Sequence, residues 1–429
     1  MKGFYKYLII IGIVVLIIGY LWKYPCDSFP NVSVLKYIYN LKCGAPTQTN
    51  TGGGILPTVN NNLGQNTENQ ENNNSLSQAG NIGIVYDNET KNYFVNNKNE
   101  VFVVDSFGKI IKVANGQSEI INDSNSGNPY QVLFSPSGEK ILIDFSDFIS
   151  IFDLQNKNWR QLDLNSFGPS FDLNNNVYYF QKENAFNSIF KLDLSKDSSK
   201  PQKLIQLNIL DSYLISKNKD EIFIVSKPSS LAYGSVLLFN NQNKNVSLVY
   251  EFPGLHFNWD PKTQNGVLLT SGELNKGGRF FWINKNLKTQ ELSFLTLPSK
   301  CIFNEELTKT NEGLLDQTST SLTSSSTSST STPKTTQAST TTKTFLICAV
   351  PRNQNELENK YITDDYLSHE LYTEDDIYKV DLNSGETKIV FNDKTKSFDM
   401  DKLQLVNNRI FFINRFDKKL YSINLNQNN

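Results

Sequence analysis

Residues 132–145 read VLFSPSGEKILIDF, two alternating apolar runs on either side of a Ser135-Pro136-Ser137-Gly138 turn. Period-2 alternation turns one face of each run inward, and the Pro-Ser-Gly turn folds the second run back on the first, so the stretch is an antiparallel hairpin. The residues that follow, ISIFDLQNKNWRQL (149–162), add two more short strands around a polar turn. One hairpin with one face buried needs neighbours to cover it, so the fold turns on whether this unit repeats.

It does repeat. Equivalents of the second hairpin are KIIKVANGQSEII (109–121), SIFKLDLSKDSSKPQKLI (188–205), SVLLFNNQNKNVSLVY (235–250), RFFWINKNLKTQELS (279–293), DIYKVDLNSGETKIV (376–390) and KLYSINLNQNN (419–429). Aligned on Ala114, Asp153, Asp193, Asn240, Asn284, Asp381 and Asn424, most copies recur at about 40 to 45 residues, the length of a four-stranded propeller blade. One longer interval holds a Ser/Thr run, TSTSLTSSSTSSTSTPKTTQASTTT, within an insertion bounded at 316–344. Without it one blade remains, although a degenerate eighth blade fits in the same interval. The reading is an all-β, seven-bladed β-propeller over residues 81–429, with a second, acidic insertion at 352–375.

The hairpin VLFSPSGEKILI resembles that of TolB-type, WD-repeat-like propellers, in which a Ser-Pro-Asp/Ser-Gly turn joins the two inner strands; FNWDPKTQNGVLL (257–269) is a weaker echo. The resemblance covers blades and carries no catalytic motif. Trp259-Asp260 falls in a turn between first and second strands, where WD repeats do not carry their dipeptide. The seventh blade has only three predicted strands, while an orphan strand, IGIVY (82–86), precedes the first. Pairing the two removes an exposed edge and closes the ring, as the resemblance also implies.

Ahead of the propeller, Lys2 and Lys6 precede an uncharged run from Tyr7 to Trp22, flanked by Tyr5, Tyr20 and Tyr24. A helix over Tyr5–Tyr24 is on the order of 30 Å long, enough to span a bilayer with aromatic residues at both interfaces. No small-x-small cleavage site follows, so residues 1–24 are expected to be an uncleaved anchor with the propeller on the extracytoplasmic side. Residues 25–43 form a Cys-bounded segment, and the Asn-rich stretch 44–80 has too few large apolar side chains to fold and reads as a disordered linker. Outside the cytoplasm the four cysteines can oxidise. Cys301 and Cys348 lie at the centres of neighbouring strands and are expected to pair, leaving Cys26 with Cys43; four cysteines allow three pairings.

A formal net charge of −2 offers no basic field for nucleic acid. Of the two histidines, His256 sits in a predicted inner strand and reads as a satisfied structural residue, and His369 lacks the second histidine of a zinc helix. No nucleophile elbow, phosphate loop or dinucleotide motif is present, so neither a cofactor nor a metal is expected. The acidic stretch ITDDYLSHELYTEDD (362–376) fits no calcium loop and reads as a solvated loop with some helical character. Its mixture of tyrosines and carboxylates makes Asp364, Asp365, Tyr366 and Tyr372 the candidate partner-binding residues. The expected function is a non-catalytic binding or assembly module of the cell envelope, with a protein or envelope polymer as partner. The alternatives are a lyase or glycosidase acting on wall polysaccharide at the central channel, and a structural spacer.

Overall fold

The computed structural model of the chain describes residues 82–425 apart from 124–126, 147, 184–185, 197, 210 and 310–339. The expected anchor, the Cys26–Cys43 pair and the linker lie outside the described residues, as does most of the Ser/Thr insertion. No helix among the described residues is long and apolar enough to cross a membrane.

Seven four-stranded antiparallel sheets follow one another as blades: 90–122, 131–161, 166–207, 212–253, 256–291, 301–391, and a last blade that the chain completes from both ends. The opening hairpin is β6 (Gln131–Phe134) and β7 (Lys140–Asp144), paired in register from Gln131↔Asp144 to Phe134↔Ile141. Gly138, at φ 74°, donates its N–H to the Ser135 carbonyl at 2.8 Å, and a Cβ there would run into the Phe94 ring of the neighbouring blade. The turn therefore requires glycine for both its backbone and its packing.

The last blade has the order β1 (Ile82–Tyr86), β28 (Leu420–Asn424), β27 (Arg409–Asn414), β26 (Met400–Val406). The orphan strand thus takes the outer place, opposite Ile423, Ser422, Tyr421 and Leu420. No eighth blade occurs among the described residues. The core is divided among the blade interfaces: each of seven apolar clusters draws its buried residues from two adjacent blades. Tyr93, Val95 and Val103 of the first blade, for example, meet Val406, Phe411 and Leu420 of the last. Trp259, placed in a turn by the sequence pattern, instead lies near the end of β18 (His256–Asp260) with its ring buried.

Strand alternation defines two faces. On the upper face emerge the loops joining second to third strands and the loops between blades; on the lower face emerge the first-to-second loops, the start of β1 and the end of β28. In blade six the interval 310–339 lies between β22 (Cys301–Lys309) and β23 (Thr340–Pro351), on the lower face. The acidic insertion joins β23 to β24 (Asp375–Asp381) and is on the upper face. Strand β23 begins at Thr340, inside the stretch read as insertion. Cys301 and Cys348 stand directly opposite in the β22–β23 register, Cα atoms 4.2 Å apart, and form a disulfide. In the chain-entropy account such a bridge contributes about 4 kcal/mol.

Candidate functional site

The acidic insertion is docked onto the ring, contrary to the solvated loop expected. Leu357, Ile362, Tyr366 and Leu371 are buried in the cluster between blades five and six. A short helix, α1 (Ile362–Leu367), crosses the upper face. The Gly277 N–H of blade five donates to the Lys360 carbonyl at 2.9 Å, and the Thr363 N–H donates to Ser230 Oγ of blade four at 3.1 Å. The insertion thereby spans blades four to seven.

Its far end is held by charge. Lys300 Nζ, fully buried in the turn that enters β22, donates at 2.6 Å each to Asp375 Oδ2, Asp399 Oδ1 and Thr373 Oγ1. Arg415, in the β27–β28 loop, donates at 2.8 Å to Asp399 Oδ2 and to the Tyr366 carbonyl, and at 3.0 Å to the Leu371 carbonyl. Its guanidinium lies 3.6 Å from the Tyr366 ring centroid. Two cations and two carboxylates thus balance in a site closed to water. Burial pulls the Lys300 pKa down, but Asp375 and Asp399 outweigh it and hold the ammonium above its ordinary range.

The four residues singled out in the sequence come together here in unequal roles. Asp364 is committed to the ring, accepting from the Ser230 N–H and Ser229 Oγ. Asp365 caps its own helix, accepting from the Tyr361 N–H at 3.1 Å. Tyr366 is only 6% exposed, whereas Tyr372 is 41% exposed and stacks on Phe416. Asp364, Asp365 and Tyr366 are thus scaffold; Tyr372 alone presents a free face. His369, at φ 60°, has its pKa lowered by burial and then by Arg415.

Beneath α1 lies a second set that sequence reasoning missed. Asp401 on β26 and His256 on β18 each carry an enclosed polar atom with no hydrogen-bond partner in the protein, Oδ1 and Nδ1, while the hydroxyl of Ser299, in the Pro298–Lys300 turn, partners the Tyr366 hydroxyl of the insertion. All stand at the upper ends of innermost strands or directly above them, and the Pro298–Lys300 turn packs against both β18 and β26. The charge of Asp401 acts on His256 and Tyr366 alike. Burial, with Asp401 a further contribution, raises the Tyr366 phenol well above 10. His256 is therefore not the satisfied residue expected. Among the described residues, no three His, Cys, Asp or Glu side chains are grouped to hold a metal.

Burial lowers the His256 pKa from 6.5 to about 4, against the opposing pull of Asp401. The unfolded chain then binds the extra proton first, so stability is full above pH 6.5 and falls as pH drops toward 4. The loss between pH 7 and 4.5 is about 2 to 3 kcal/mol from this group. Urea unfolding of His256→Gln should lose correspondingly less over that interval than the parent; equal losses would contradict the assignment.

No protein-family model matches the sequence, and no curated protein does. Among solved structures, the chain is similar to an oligogalacturonate lyase in complex with manganese, at 11% identity and TM-score 0.50, covering 82% of this chain and 95% of that one. An oligogalacturonate lyase from Vibrio parahaemolyticus gives 8% identity and TM-score 0.52 over the same shares, 82% and 95%. The β-propeller domain of Cps50 (Swd1) from Myceliophteria thermophila gives 8% and 0.43, covering 80% and 98%. The two lyase likenesses establish the β-propeller fold and leave the chemistry of this chain to its own residues.

Proposed function

We propose that this protein is a non-catalytic binding module, anchored in the cell membrane by residues 1–24 and presenting the upper face of an extracytoplasmic propeller to a protein partner. The placement of exposed apolar side chains supports this reading. Of sixteen large ones among the described residues, Ile84, Ile120, Leu248 and Ile389 lie on outer strands and Leu173 on the lower face; the other eleven occupy loops or strand ends of the upper face. Leu231, Tyr233 and Phe252 of blade four, Leu274 of blade five, Leu367 and Tyr372 of the insertion and Phe416 of blade seven share that face with α1. Leu274 is 88% exposed at φ 54°, a conformation that leucine rarely adopts. Apolar and aromatic tips collected on one face are the composition of an interface core.

A photo-crosslinking residue placed at 274 in native membranes should yield a discrete protein adduct, and one placed at 173 should not. Leu274→Asp together with Leu231→Asp should abolish adducts from position 372 while moving the melting temperature by no more than a few degrees. Equal adducts from both faces would refute the reading.

A further inference from the structure

We propose that the lower face of blades four and five docks on an anionic lipid bilayer, through a basic plateau built from four turns. The choice of a bilayer rests on the anchor reading above; the plateau itself does not. Two of the turns belong to blade four, 217–220 and 241–244, and two to blade five, 261–264 and 284–288. They are tied to one another. The Asn241 N–H donates to the Asp220 carbonyl at 2.8 Å, the Trp259 indole N–H to the Lys217 carbonyl at 3.3 Å, and the Tyr250 hydroxyl to the Leu287 carbonyl at 2.7 Å. Two blades thus present one surface.

That surface exposes Lys219, Lys244, Lys262, Lys285 and Lys288. Lys262, Lys285 and Lys288 form no salt bridge among the described residues. The carboxylates between them are already engaged: Asp260 accepts from the Lys262 and Thr263 N–H groups and the Thr263 hydroxyl, Asp220 accepts from Gln242 Nε2 at 3.0 Å, and Glu221 pairs with the half-buried Lys217 at 2.6 Å. The five exposed ammonium groups therefore stand against Asp220 and Asp260 alone. Lys244 also sits at φ 56°, the place that Gly385 fills at φ 77° in the same turn of blade six. A lysine there is strained where glycine is not, so a charge is kept against the preference of the backbone.

Position and sign select the ligand. The plateau lies on the face from which β1 starts, the side at which the chain carrying the apolar run Tyr7–Trp22 joins the ring. On the opposite face the insertion exposes Glu356, Glu358, Glu370 and Glu374. An anionic bilayer therefore attracts one face and repels the other, which turns the proposed partner site outward. Lysines within a Debye length of such a surface are drawn to it together, and salt removes the attraction.

The full-length chain reconstituted into phosphatidylcholine vesicles, with or without phosphatidylglycerol at about 30%, tests this. Energy transfer from a fluorescent residue at 286 to headgroup-labelled lipid should rise at least twofold in the anionic vesicles and fall back at about 0.5 M salt, while transfer from 274 should not rise. Lys262→Glu, Lys285→Glu and Lys288→Glu combined should abolish the rise with the melting temperature moved by no more than a few degrees. Lys244→Gly, which relieves the backbone, should reduce it without lowering the melting temperature; if the triple variant does not fold, Lys244→Gly decides. Release of the chain from neutral vesicles by alkaline carbonate would sink the anchor alone. Co-flotation of the released chain with anionic but not neutral vesicles would then support the plateau, and its absence would overturn it. No rise at 286, an equal rise at 274, a rise that the triple variant keeps, or reversal by soluble polyphosphate matched to the lipid charge would each overturn the proposal.

Discussion

Deleting residues 82–87 from the full-length chain should open the ring, lowering the melting temperature by roughly 5 °C or more and driving the protein into aggregates on size-exclusion chromatography. The deletion removes the whole of β1 and with it the partner of β28. Tyr86 leaves the cluster between the first and last blades, Ile82 leaves the cluster between the last two, and the Lys419–Asp87 ion pair is lost. Apolar burial of that extent is worth on the order of 5 kcal/mol. The larger consequence is the bare edge left on β28, a template for pairing with another chain. An unchanged melting temperature with a monomeric elution profile would show that the ring does not need this strand.

Replacing Lys300 with Met should destabilise the protein by about 3 to 5 kcal/mol, because Asp375 keeps its charge in a buried site and loses its cation. Asp399 retains Arg415 at 2.8 Å and suffers less. Combining Lys300→Met with Asp375→Leu should recover part of the loss, since removing both members of a buried pair is milder than removing one. Urea unfolding gives the energies, and limited proteolysis within 352–374 reports whether the insertion has come loose. A cost below about 1 kcal/mol for Lys300→Met, or a double variant weaker than the single one, would mean that the network does not hold the insertion.

The ring was legible because a blade is a local object. Each hairpin writes its own period-2 pattern and turn, so KIIKVANGQSEII and DIYKVDLNSGETKIV can be recognised without knowing what lies between them. Closure followed from counting strands, and the Cys301–Cys348 bridge from both cysteines standing at strand centres in one hairpin. The buried polar set beneath α1 was not legible because His256, Ser299 and Asp401 belong to three blades, each a single polar residue with no motif around it. The acidic insertion was misjudged for a related reason. Its carboxylates drew attention, while Leu357, Ile362, Tyr366 and Leu371, spaced at intervals of four or five, marked the face that docks. Asp375, Asp399, Lys300 and Arg415 become a network only once blades six and seven are side by side.

The way the last blade is completed also determines how the domain bears load. Strand β1 enters from the lower face and lies along β28, bonded to it from Ile82↔Ile423 to Tyr86↔Leu420. A tug on the chain ahead of Ile82 that is directed along the strand axis and resisted by the blades loads the rungs of this ladder together in shear, whereas one resisted at the C-terminal end of β28 peels them from Ile82↔Ile423 onward. The seam that closes the ring is thereby the first part of the domain to feel such a load: in extension from the N-terminal side the β1–β28 ladder gives way before any blade can unravel.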